Sequence, residues 1–162
     1  IQADFGNLSV ISIYIPSGSA KQERQDYKME FMVKRFMPYL EALQKDGREY
    51  IICGDINIVH KKIDIKNFNG NKNRSGCLPE ERAWLDQLFG EAGFIDAFRE
   101  INQETDQYTW WSNRGQAWAN NTGWRIDYHI LSANLKGTPQ RAEVYKEERF
   151  SDHSPLIIDY DF

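Results

Sequence analysis

Asp55 and Asn57 stand two residues apart where the apolar run Tyr50-Ile51-Ile52-Cys53-Gly54 ends. Alternation along an extended chain puts their side chains on one side, at the carboxyl end of a buried strand, which is where α/β sheets bind ligands. Gly-Asp and Asn are also ordinary turn residues, and on this octapeptide alone a turn is the simpler account. Ser151-Asp152-His153-Ser154-Pro155 precedes a second apolar run. It joins a carboxylate suited to a metal with an imidazole suited to proton transfer. Alone it reads equally as a turn with a solvated histidine. In Gly123-Trp124-Arg125-Ile126-Asp127-Tyr128 an acid alternates with apolar residues at a strand start. Asp127 could orient an imidazole, as a carboxylate does for a catalytic histidine, or Arg125 could simply neutralise it. Four of the five tryptophans (Trp110, Trp111, Trp118 and Trp124) fall within fifteen residues, beside Tyr108 and around the polar loop Asn120-Asn121-Thr122-Gly123. Core packing is the ordinary fate of any one of them. Such a cluster is also what an unstacked or flipped nucleotide packs against.

A net charge of −4 argues against a protein that simply coats nucleic acid. The distribution says more than the sum. Between His60 and Cys77 the basic residues Lys61, Lys62, Lys66, Lys72 and Arg74 face Asp64 as the single acid, among four Asn and two Gly. This is either a solvated loop or one that contacts phosphates, since such contacts come from Lys, Arg and Asn. Cys53 and Cys77 cannot make a disulfide framework or a four-ligand zinc site, so a reducing, cytoplasmic compartment is the easier reading. The three Asn-x-Ser/Thr sequences are then chance matches. No apolar run approaches the roughly 18 residues of a membrane span, and no Walker-type phosphate loop is present. The opening at Ile1 without a methionine suggests a processed or cloned piece of a longer product.

The elements that must position these residues follow from periodicity. Residues 7–15 read as a buried strand stopped by Pro16-Ser17-Gly18. The pattern predicts a long helix over 20–46, with a Ser19–Gln22 capping box, a stop at Gly47 and a kink or break at Pro38. Its core face would carry Tyr27, Phe31, Phe36, Leu40 and Leu43. A second buried strand spans 49–54, and a helix opens at Pro79 with Glu80 and Glu81 in its first turn. A shorter helix is predicted over 95–101, and strands over 108–112, 125–132, 142–146 and 154–160. The order means one α/β or α+β domain over residues 1–162 with a substantial sheet.

Asp and Asn oxygens, a His–Asp pair and a basic loop are together the parts of a magnesium phosphodiesterase. Tyr14-Ile15-Pro16, Gly54-Asp55-Ile56-Asn57, Pro79-Glu80-Glu81-Arg82, Tyr108-Thr109-Trp110-Trp111, Gly123-Trp124-Arg125-Ile126-Asp127-Tyr128 and Ser151-Asp152-His153 occur in a characteristic order and spacing. In these motifs the chain resembles the exodeoxyribonuclease III family, the abasic-site endonuclease branch of the endonuclease/exonuclease/phosphatase superfamily. The resemblance covers essentially the whole chain. It implies part of a four-layer αββα sandwich of the deoxyribonuclease I type. It also implies an Mg²⁺-dependent (or Mn²⁺-dependent) nuclease that cuts duplex DNA 5′ to abasic sites or digests it from the 3′ end. By resemblance, Asp55 activates the attacking water and Asn57 holds the scissile phosphate, with the Tyr14 hydroxyl nearby. His153, oriented by Asp127, stabilises the phosphoryl oxygens, and Asp152 lies near the metal. Trp110, Trp124 and Ile126 wall a pocket for the flipped-out abasic sugar, and Lys61, Lys62, Lys66, Lys72 and Arg74 are read as DNA contacts.

Family members carry an Asn-x-Asn motif and a Gln-Glu motif, whose Glu is the main magnesium ligand, ahead of the first strand seen here. Neither occurs in these 162 residues. The chain is therefore expected to be the C-terminal two-thirds of such an enzyme, to be inactive alone, and to self-associate through incomplete sheets. Two other functions stay open on the residues: a phosphatase or phosphodiesterase of the same superfamily acting on a lipid or other small substrate, and a non-catalytic DNA-binding or assembly module.

Overall fold

The computed structural model describes residues 1–19 and 21–162. A sheet of five strands forms its centre. The first two, β1 (Gln2–Phe5) and β2 (Leu8–Tyr14), make an antiparallel hairpin. β3 (Glu49–Asp55) runs parallel to β2, and β7 (Asp127–Leu131) runs antiparallel to β3. β4, only Ile95–Asp96, closes the other edge against β7, which gives the order β1-β2-β3-β7-β4. No strand was expected over residues 2–5, because this exposed edge strand lacks apolar alternation and is held only by its pairing with β2.

Alternation sorts the side chains into two cores. Ile11, Tyr50, Ile52, Tyr128 and Ile130 face the helices, while Ile51 and Leu131 face the opposite side. The helical layer begins with α1 (Gln22–Phe31), widens through a π-helical segment at Met32–Phe36, and continues as α2 (Met37–Lys45). Pro38 has no N–H for the helical ladder, and where a kink or break is expected the α-helical bonding is interrupted by the wider π-helical turns just before it. The helix start expected at Ala20 lies outside the described residues. Lys21 rather than Ser19 precedes α1, and the Ser19 hydroxyl bonds that of Ser17, so the expected capping box is not formed. Tyr27 is 61% exposed, contrary to the core position expected for it. The buried residues of that stretch are the polar Gln25 and Lys28, which meet a buried acid.

The short α3 (Phe68–Asn71) lies in the basic loop, and α4 (Pro79–Phe89) packs Trp84, Leu85 and Leu88 against the same core. Trp84 stacks on Phe36 and donates its indole N–H to the Met32 carbonyl. The helix expected over 95–101 is shortened to α5 (Ala97–Ile101), because Ile95 and Asp96 pair with β7. On the far face lie two antiparallel ribbons, β5 (Trp110–Trp111) with β6 (Gly123–Trp124), and β8 (Pro139–Val144) with β9 (Leu156–Tyr160). Trp111, Val144 and Ile158 fill the space between these ribbons and the sheet. The α/β class thus holds. Among the described residues no helix is long and apolar enough to cross a membrane.

Candidate active site

Tyr14, Asp55 and Asp127 lie side by side in register across β2, β3 and β7. Alternation along each strand turns all three toward the face that carries the ribbons. Gly54 makes the row possible: a Cβ there would lie 1.8 Å from the Ile13 carbonyl oxygen. The fourth member arrives on another element, where His153 pairs with Trp110 in an isolated antiparallel bridge. Its Nδ1 lies 2.9 Å from Asp127 Oδ2, inside the range of about 2.6–3.2 Å expected for an oriented imidazole. Tyr14 is 65% exposed beside them.

β3 ends at Asp55, and Asn57 takes a left-handed backbone with φ 56°. The pair therefore does not alternate as in a strand. Asn57 folds back instead: its N–H donates to Asp55 Oδ1 at 2.8 Å, and its side-chain amide to Oδ2 at 2.7 Å. The same amide donates to the Ile15 carbonyl at 2.8 Å. Burial, followed by the Asp127 charge, pushes the Asp55 carboxyl up to about 6 against the opposing pull of the Asn57 N–H, His153 and Lys28. His153 moves above its usual range, chiefly through its bond to Asp127. An acid close to neutrality beside an imidazole that favours its proton can accept one proton while stabilising negative charge.

Trp110 and Trp124 meet edge to face at 6.0 Å and pack on the cluster of buried Ile126, Val59, Ile65 and Cys77. The structure thus brings Trp110, Trp124 and Ile126 together. Trp111 and Trp118 instead pack into the core between the layers. Asp152 Oδ2 accepts the Trp110 indole N–H at 3.0 Å, and its main-chain carbonyl accepts Trp111 N–H. Arg125 does not neutralise Asp127. Fully buried, it pairs with Asp64 at 2.8 Å and Asp96 at 2.6 Å, while Arg99 also holds Asp64. The lone acid of the basic loop is therefore the anchor that ties that loop to Arg125, just ahead of β7, and to Arg99 on α5. Lys61 pairs with Asp86, and Lys66 with Asp106. Lys62, Lys72 and Arg74 are exposed and without ion pairs among the described residues. A cavity of about 410 Å³ lies apart from this cluster, lined by His60, Phe89, Phe94 and Arg99 among others. The polar groups of His60 and Arg99 in that cavity are already engaged by Asp86 and Asp64.

Among the described residues no group of three or more His, Cys, Asp or Glu is placed to hold a metal ion. Both Asp55 oxygens accept bonds from Asn57, and one Asp152 oxygen is taken by Trp110. These residues do not by themselves form the cation site that the resemblance implies.

Residues 14–153 match the endonuclease/exonuclease/phosphatase family. The chain belongs to this family. An exodeoxyribonuclease of Bacillus subtilis is 38% identical over 159 residues, which is 98% of this chain and 62% of that protein. The DNA repair nuclease APEX1 of Danio rerio is 37% identical, over 98% of this chain and 50% of that protein. An AP endonuclease from Archaeoglobus fulgidus superposes with a TM-score of 0.88 at 25% identity, over 99% of this chain and 64% of that one. A Neisseria 3′ phosphatase bound to a product DNA hairpin shares the fold, with a TM-score of 0.88 at 23% identity, over 99% of this chain and 64% of that one. The chain thus spans about half to two thirds of the length of these family members.

Two residues linked to Asn57 were not expected there from the sequence: Lys28 and Glu81. Their ion pair is wholly buried, and Lys28 also bonds the Asn57 carbonyl at 2.9 Å. The available signals were the polar Gln25 and Lys28 interrupting an apolar helix face and the Pro79-Glu80-Glu81-Arg82 motif.

Proposed function

We propose that this chain carries the water-activating and phosphate-stabilising groups of a DNA-repair phosphodiesterase that cleaves 5′ to abasic sites, with 3′–5′ exonuclease action on duplex DNA as a second activity. The observation that carries the reading is Asp55 in register beside Asp127, itself bonded to His153, next to the Trp110–Trp124–Ile126 cluster. Ionised Asp55 takes a proton from water as the water oxygen bonds to phosphorus. The bond from phosphorus to the 3′ oxygen breaks, and that oxygen is protonated from solvent. Asp127 fixes the ring of His153, whose imidazolium offsets the charge growing on the phosphoryl oxygens. Asn57 aims the Asp55 carboxylate and gives up one bond to hold the phosphate, and Tyr14 offers its exposed hydroxyl to the same group. Trp110, Trp124 and Ile126 receive the extrahelical sugar. The Bacillus and Danio relatives, nucleases by name, support the substrate class. The relevant cation is Mg²⁺ or Mn²⁺, with Asp152 as one carboxylate, and the compartment is the cytoplasm.

Because the chain spans 62% of the Bacillus relative, a second reading of the 162 residues alone is a DNA-binding module without activity. The 162 residues alone are therefore expected to cleave an abasic duplex negligibly in millimolar magnesium and to self-associate through the open β1 edge. Gel assay and light scattering check both, and enzyme-like turnover by a monodisperse monomer would contradict them.

The basic loop gives a further expectation. Neutralising Lys62, Lys72 and Arg74 is expected to weaken duplex binding whatever its sequence. The log–log salt dependence should flatten by about 0.9 for each phosphate that the loop no longer neutralises. Equal slopes in filter binding would make the loop a solvated connection.

A further inference from the structure

We infer that Lys28 is a positioning residue for the Asp55–Asn57 pair, acting through the Asn57 main-chain carbonyl, and that Glu81 holds it in place. Lys28 lies on α1, Asn57 follows β3 and Glu81 is in the first turn of α4, so one ammonium joins three elements. Its Nζ donates to Glu81 Oε1 at 2.6 Å and to the Asn57 carbonyl at 2.9 Å, with both charged side chains at 0% exposure.

Glu81 is itself fixed from four directions. Its Oε1 accepts from Lys28 and from Gln25 at 3.0 Å. Its Oε2 accepts the N–H groups of Gly76 at 2.6 Å and Leu78 at 3.0 Å. Gly76 in turn lies against the site: a Cβ there would come within 3.0 Å of the Asn57 carbonyl oxygen and 3.1 Å of the Trp124 ring. The Asn57 carbonyl is thus held by Lys28 on a scaffold that also lies against the Trp124 ring.

A charged amine without a partner in such a place would lose its proton rather than stay buried. Burial does draw Lys28 below its usual range, and the Glu81 and Asp55 charges oppose that. Buried ion pairs add little net stability over apolar residues of the same volume. What this one supplies is geometry. Asn57 is a non-glycine residue in the left-handed region. Its peptide orientation decides where its N–H and amide meet Asp55. Turning that peptide would misaim the carboxylate that the proposed mechanism uses.

The inference deepens the proposed function, but its test does not depend on it. In the intact protein, Lys28→Met/Glu81→Gln removes both charges at similar volume, so neither is left buried alone. Lys34→Met, which breaks an exposed pair with Glu30 farther along the same helical segment, is the control. NMR of the substrate-free protein reads the Asn57 amide cross-peak and its φ-dependent coupling. The double variant is expected to move both, with Lys34→Met leaving them in place. Cleavage kcat is expected to fall on the order of 10²-fold with KM little changed, as a small misplacement of a reacting group does. Should the double variant not fold, Lys28→Gln is read in the same way. Asn57 signals identical to wild type would overturn the inference. If they move while Asp55→Asn leaves cleavage unchanged, the positioning stands and the functional reading falls.

Discussion

Asp55→Asn is expected to lower turnover by roughly 10²–10⁴-fold, the usual worth of a positioned general base. Asn has the same shape and can still accept the Asn57 N–H at Oδ1, so the fold should survive. The pH dependence gives a second signature. Wild-type turnover should rise through about 6 as Asp55 ionises. Stability should move the other way. The folded carboxyl titrates at about 6 against an ordinary 3.8, so between these values the folded chain holds the proton that the unfolded chain has lost. Stability from this group therefore falls as pH rises across that window. Asp55→Asn should remove the slope and leave the variant at least as heat-stable as wild type at pH 7. Stopped assays and melting curves against pH read both. Unchanged turnover would take Asp55 out of the mechanism.

Arg125→Met is expected to be the most damaging single change to the fold. Among the described residues it would leave buried Asp96 without a paired cation and Asp64 with Arg99 as its remaining one. Removing one partner from a buried ionic cluster costs about 3–5 kcal/mol. A chain of this size melts roughly 2–4 °C lower per kcal/mol, so Tm should fall on the order of 10 °C. Burial alone would raise the Asp64 carboxyl, but Arg125, by charge and hydrogen bond, and then Arg99 hold it below the usual range. A depressed carboxyl contributes stability above its unfolded value and loses it as pH falls through the lower folded one. The wild type should therefore lose this contribution in acid below about 3.8, and Arg125→Met, with Arg99 still on Asp64, should lose less. A melting temperature within a degree or two of wild type would mean that the cluster is not structurally important.

Much of this site was legible from local pattern. β3 announces itself by five residues of apolar run before Asp55, whereas the Asp127–His153 bond was implied by the family resemblance and left open by the residues alone. What escaped depends on partners that local sequence does not reveal. Lys28 passed unremarked and Tyr27 was expected in the core, because the partner that buries Lys28, Glu81, lies 53 positions on. Asp64 looked like a minor acid in a basic loop until Arg125 reached it across 61 positions. The edge strand β1 has no periodicity because it has no buried face. The Asp55–Asn57 geometry was misjudged because a left-handed residue ends the alternation on which the expectation rested.

The most direct measurement is the position and substrate dependence of the cut made by the intact protein. A duplex carrying one abasic site, end-labelled and incubated in millimolar magnesium, should be nicked once on the 5′ side of that site, leaving a 3′-hydroxyl. Undamaged duplex should be cut far more slowly and Asp55→Asn should spare both. An abasic duplex left whole under conditions where the same protein releases phosphate from a phosphoinositide would contradict the account.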